Sequence, residues 1–158
     1  MNASEKFIHP FDPIYNDESE ILILGSFPSV KSREVSFYYG HPLNRFWKLL
    51  ALLYDEETGE SIDERKAFLL SHHIALWDVI KECEICGSSD ASIRNVKVND
   101  LSLLMDGCKI KKIYANGKTA GKLFNSYVKD KIQYDCIVLP SSSPANAAYK
   151  LEDLYREW

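Results

Sequence analysis

The sequence predicts an α/β fold: a three-layer αβα sandwich around a central, mainly parallel four-stranded sheet. Three observations predict it. Short apolar runs alternate with segments of helical spacing, the pattern of βαβ units. The runs are continuous rather than alternating, as expected of parallel strands covered on both faces. The length of 158 residues suits one domain, 1–158, whose first 20 residues read as an N-terminal extension.

The strands fall at residues 21–25 (ILILG), 74–77 (IALW), 113–115 (IYA) and 136–139 (CIVL). Between them, Phe46, Leu49, Leu50 and Leu53 repeat at i, i+3, i+4 and i+7, with Pro42 near the helix start. A second helix covers 61–72, where Ser61 and Glu64 match the S-x-x-E capping pattern. Residues 99–105, 118–128 and 145–155 read as three more.

A chain with 46% hydrophobic residues is not globally disordered, and no apolar run is long enough to span a membrane. No basic patch followed by an apolar stretch opens the sequence, so an intracellular location is expected. Cys83 and Cys86 form a lone CxxC without a second tight pair, which argues against a zinc or iron–sulfur site. Cys136 lies in an apolar run, where a thiol packs as a small hydrophobe.

The formal net charge of −4 conceals an uneven distribution. Residues 26–50 carry a net +3 and residues 109–131 a net +6, while residues 1–20 and 51–70 are each at −4. Phosphate binding depends on the local field, so the chain stays a candidate nucleic-acid binder. The alternative reading of the lysine-rich stretch is a solvated face.

Open α/β sheets bind ligands beyond the carboxyl ends of their strands. That rule selects GSFPSVKSREVSFYYGHPLNRFW, then Asp78 and GSSDASIRN, then Asn116-Gly117-Lys118, then PSSSPAN. In the first, Gly25, Ser29, Lys31 and Arg33 combine exposed amides, hydroxyls and cations into a phosphate seat. Phe37, Tyr38 and Tyr39 cannot all face the core, so at least one should line the rim, where it can stack a base. Asn44 is placed at the start of the following helix, where an Asn often serves only as a cap. Arg94 and Asn95 either reach phosphate or brace the long connection, and His41 braces its loop. His72 and His73 end a helix, a common place for His, and Trp47 and Trp77 read as core.

The segments LILGSFPS, YYGHPLNRFWKLL, IALWDVI, GSSDASIRNVKVND, ANGKTAGKLF and LPSSSPANA occur in one order from Leu22 to Ala148. In that order they resemble the uracil-DNA glycosylase superfamily, and within it most closely the hypoxanthine-DNA glycosylase family, near the mismatch-specific branch. HPLNRFW and LPSSSPAN are its specific parts. The resemblance implies that Phe27 stands where most of the superfamily has an Asp or Asn that positions water, and Phe27 cannot do so. It makes Asn44 the catalytic residue. Tyr39 occupies the place of an aromatic that stacks on the flipped base, and Ser141, Ser142 and Ser143 begin the last motif. Ala145 holds the position of the wedge residue.

The resemblance therefore implies a monofunctional DNA glycosylase that hydrolyses the N-glycosidic bond of hypoxanthine in DNA. Phe27, Tyr39, Asp78 and Asn116 are assigned to the base. Ser29, Lys31, Arg33, Ser141, Ser142, Ser143, Ala145 and Asn146 are assigned to DNA. The chemistry calls for no metal or cofactor, and no Lys is placed as a Schiff-base nucleophile, so no strand cleavage is expected. The partner would be DNA holding a deaminated base, met by a monomer, with later repair proteins separate. Two alternatives stay open: a uracil or G:U/G:T mismatch glycosylase, and a non-catalytic damaged-base or nucleotide-binding module.

Overall fold

The apolar runs of the sequence form the centre of the molecule: Leu22, Leu24, Ala75, Leu76 and Ala115 are fully buried. The computed structural model describes residues 5–85 and 93–158. In chain order the elements are β1 (Glu5–Ile8), β2 (Ile21–Gly25), α1 (Val30–Val35), α2 (Phe46–Tyr54), α3 (Ile62–Ser71), β3 (Ile74–Asp78), β4 (Ile80–Ile85) and β5 (Arg94–Val98). They continue as α4 (Ser102–Gly107), β6 (Lys112–Asn116), α5 (Lys118–Tyr127), α6 (Lys129–Ile132), β7 (Cys136–Leu139) and α7 (Leu151–Glu157).

Four strands pair in the order β3-β2-β6-β7, all parallel, with helices flanking the sheet as the fold class predicts. Leu24 lies opposite Trp77 on one side and Ala115 on the other, so the strands end level with one another. From β2 the chain first crosses to β3 on one side and later to β6 on the other. The loops leaving β2 and β6 therefore diverge, and a crevice opens between them, the usual ligand position in such sheets.

A second sheet, β1-β4-β5, is antiparallel and was not foreseen. Its strands are short and rich in charge, with ion pairs from Lys6 and Lys97 to Glu82 on its surface. Beneath it Ile80, Cys83 and Ile85 form a small apolar cluster joined by Phe7 and Phe27. Within the stretch read from sequence as an N-terminal extension, 1–20, Glu5–Ile8 is a strand of the second sheet. Further on, Ile14 exchanges two backbone hydrogen bonds with Leu76 of β3.

Helix boundaries shift where local bonding outweighs periodicity. Asn99, expected in a helix, is instead buried between strands and α4 begins at Ser102. Its amide donates to the carbonyls of Asp78 and Ile80, and its backbone N–H donates to that of Val79. The expected helix at 145–155 begins only at Leu151, because the preceding residues form a tied turn described below. The Ser61–Glu64 capping box is present on α3. Among the described residues no helix is long and apolar enough to cross a membrane.

Asn99 holds the point where the chain leaves one sheet for the other. Asn99→Ala should cost about 2 kcal/mol by stranding two buried carbonyls, read as a lower urea midpoint with an unchanged slope.

Candidate active site

Every loop at the carboxyl end of the parallel sheet converges on one cleft of about 590 Å³. That volume lies within the range of small-ligand pockets. Gly25 ends β2 where a side chain has no room. A Cβ there would stand 2.3 Å from Asp78 Oδ1 and 3.0 Å from the Tyr39 hydroxyl. The bare backbone thus lets an acid and a phenol meet at the cleft floor. Tyr39 has the left-handed φ of 52°, rare for a bulky residue, and stacks on Phe46 at 4.0 Å. Among the described residues its buried hydroxyl makes no hydrogen bond of full geometry, and burial, then the nearby Asp78 charge, push its pKa up against a weaker opposing pull from the Asn116 amide. A buried polar group left open in a pocket wall is a place where a ligand can bond.

Asp78 is the last residue of β3, and its carboxylate meets His9. His9 Nε2 donates to Asp78 Oδ2 at 2.7 Å, with the two side chains 2% and 5% exposed. His9 was missed from sequence because it lies in the segment taken for an extension.

Asn44 precedes α2, and its Oδ1 accepts from two donors. These are the Phe46 backbone N–H at 2.9 Å and the Ser142 hydroxyl at 2.9 Å. On the far side, Asn116 Oδ1 accepts the backbone N–H of Ser142, while Asn116 Nδ2 donates to the Ser142 hydroxyl, both at 3.0 Å. Backbone N–H groups can only donate, so both amide orientations are settled at the ends of this chain. Ser142 must accept from Asn116 and donate to Asn44. Asn44 Oδ1 is then saturated, and its NH2 is the polar end left for the cleft, whose wall it forms. Asn44 thus stands one residue before the N-cap of α2, Arg45, bonds the first helical N–H and lines the cleft at the same time.

The other assigned residues separate by what they touch. Phe27, Arg33, Ser141, Ser143 and Ala145 line the cleft. Phe27 packs edge-on against His9, and Arg33 lies over Phe7 at 4.2 Å. Ser29 lines the cleft too, but its side chain accepts from Ser32 N–H as the cap of α1. Lys31 pairs with Glu34 and borders a neighbouring groove. Ser142 is fully buried, so its hydroxyl braces the two asparagines instead of facing DNA. Asn146 donates to the Ser141 carbonyl and braces the same turn. Asn95 donates to Glu84 within the second sheet, and part of GSSDASIRN, with Cys86, lies outside the described residues.

Two residues here lie in segments the sequence singled out but were given no role of their own. Lys118, at the start of α5, lines the cleft, whereas Lys109, Lys111 and Lys112 stand at the opposite end of β6. One five-residue strand, roughly 16 Å long, thus splits the lysine-rich stretch between two ends of the molecule. Arg45, inside HPLNRFW, donates to the carbonyls of Ser142, Ser143, Asn146 and Tyr149. It ties the last loop to α2, and Trp158, whose indole donates to the Pro140 carbonyl, closes the base of that loop.

A neutral amide chain, an aromatic wall and an acid–phenol floor thus meet in one cleft at the switch point of the sheet. The model of the uracil DNA glycosylase superfamily matches residues 13–158, and the chain belongs to that family. It is 37% identical to a hypoxanthine DNA glycosylase of Methanosarcina acetivorans, covering 94% of this chain and 93% of that one. It is equally identical to one of Methanosarcina barkeri, over 86% of each. Among solved structures it superposes on the solution NMR structure of a Methanosarcina acetivorans protein provisionally described as a uracil DNA glycosylase. That TM-score is 0.81 at 33% identity, over 95% of this chain and 94% of the other.

Removing the Arg45 clamp should loosen one loop only. In Arg45→Ala, amide exchange at 141–149 should rise at least tenfold, while β2 and β6 keep their protection.

Proposed function

We propose that this chain is a monofunctional DNA glycosylase that hydrolyses the N-glycosidic bond of hypoxanthine in DNA. One observation carries the reading: Tyr39 Oη and Asp78 Oδ1 stand together around Gly25 at the floor of the cleft. They offer a donor and an acceptor side by side. Hypoxanthine presents the complement, a carbonyl beside a ring N–H, whereas adenine presents an amine beside a bare nitrogen. Opposing like groups at a buried edge rejects the wrong base strongly. Uracil has a similar edge. Phe27, where a uracil-type site would hold water with an Asp or Asn, supports the purine, as do the two curated relatives named above.

The base must leave the duplex to reach this floor. Its departure gives an oxocarbenium-like sugar that a weak nucleophile can trap, so water needs position more than a strong base. Asn44 fits that task as a donor. Its NH2 holds the water oxygen while Oδ1 stays committed to Phe46 and Ser142. Arg33 and Lys118, on the cleft walls, meet phosphates on either side of the flipped nucleotide. Ala145 is too short to fill the vacated stack. Leu43, 69% exposed beside Ala145 in the adjoining groove, supplies the missing bulk. The protein acts on DNA as a monomer, with no lyase step.

The test is single-turnover excision from duplexes holding one inosine, uracil or G:T mismatch, followed by alkaline cleavage. Inosine should be released fastest, and borohydride should trap no covalent adduct. Tight binding with no excision from any substrate would leave only a binding module. Asn44→Ala and Asn44→Asp should both fold, and both should lose about a hundredfold in rate. A fully active Asn44→Asp would show that Asn44 holds water by accepting.

Leu43→Ala should slow inosine release from duplex DNA by about tenfold while sparing single-stranded DNA, where nothing must be wedged apart. Equal slowing on both substrates would remove Leu43 from that role.

A further inference from the structure

The floor of the cleft depends on a residue outside the motifs that carry the family likeness. β1 pairs with β4 through Ile8 opposite Glu82, and the next residue, His9, continues with its N–H bonded to the Lys81 carbonyl. Pro10 keeps His9 extended. Four residues on, Ile14 locks onto Leu76, so the segment is held at both ends and His9 is fixed beside Asp78.

The imidazole itself has little freedom. Phe11, Phe27 and Tyr38 surround it with ring centroids 5.4, 5.9 and 5.9 Å away. Nδ1 meets the backbone of Phe11 in either protonation state: the carbonyl at 2.9 Å takes a proton, and the N–H at 3.2 Å supplies one. Nε2 therefore has one use, to hold Asp78 Oδ2. The other oxygen, Oδ1, is turned toward Gly25 and the open Tyr39 hydroxyl.

We propose that His9 is a specificity-determining positioning residue, fixing Asp78 so that Oδ1 faces the flipped base as a pure acceptor for its ring N–H. The inference rests on the reading of the cleft as a hypoxanthine site. The physical need is clear. A carboxylate buried without a partner either takes up a proton or turns away. An Asp78 carboxylate turned away from the cleft would leave hypoxanthine's ring N–H without its acceptor. His9 makes one of the two edges readable. Phe27 gains a second purpose here, since it packs on His9 where an acid in its place would compete for the same imidazole.

The experiment compares His9→Leu, His9→Gln, Asp78→Asn and the double variant His9→Leu/Asp78→Asn in single-turnover excision from an inosine duplex. Binding of each to a duplex bearing tetrahydrofuran is measured in parallel, because that abasic site has no base to read. His9→Leu should lose about ten- to a hundredfold in rate and keep its affinity for tetrahydrofuran DNA. His9→Gln, whose amide reaches the Nε2 position, should recover most of the rate. The double variant should be no slower than Asp78→Asn. A His9→Leu protein at full rate, an equal loss of tetrahydrofuran binding, a Gln variant without rescue, or additive effects would each overturn the proposal. A wild-type protein inert on inosine would instead overturn the reading of the cleft, and this assignment with it.

Discussion

A serine hydroxyl has a single proton, and the direction in which Ser142 gives it organises the whole site. Backbone amides at Phe46 and Ser142 fix the two asparagine oxygens, and the hydroxyl must then pass its proton from the Asn116 side toward Asn44. Three segments far apart in sequence are thereby put in one electrical register. All three groups are neutral, so the chain is set without burying a charge, and the cost of desolvating one never arises.

The cleft floor works on the opposite principle. There the structure does bury a charged group, and among the described residues a side chain holds one of the carboxylate's two oxygens. Half the acid is structural and half is left to bond. The neighbouring phenol stands beside it, and the two come this close because Gly25 has no side chain. The neutral rim of Asn44, Ser142 and Asn116 and the polar floor of Asp78 and Tyr39 are thus built on different principles, although their residues interleave along the chain.

Much of this was legible in the sequence. The four parallel strands stand out as continuous apolar runs, because burial on both faces leaves no room for alternation. HPLNRFW and LPSSSPAN, singled out by the family resemblance, both contribute residues to the cleft wall. The second sheet was not legible, because in it charged residues such as Glu82 and Lys97 alternate with apolar ones and mimic a loop. Ser142 was read as a DNA contact because burial of a serine depends on tertiary packing and leaves no local trace. His9 and Arg45 escaped for a related reason. Each acts on a partner 69 or about 100 residues away, and no local pattern announces such a pair.

The Arg45 clamp also has a meaning in time. Its acceptors include Ser142, Ser143, Asn146 and Tyr149, close to the C-terminal helix. Asn44 cannot acquire its Ser142 donor before that loop exists and has docked. A chain still being synthesised can therefore assemble β2, β3 and much of the core while its cleft remains unbuilt. Closing the long loop between residue 45 and residue 149 is entropically a late event. The hydrogen-bond chain through Asn44, Ser142 and Asn116 is thus completed only after the loop at 141–149 has been made and has docked.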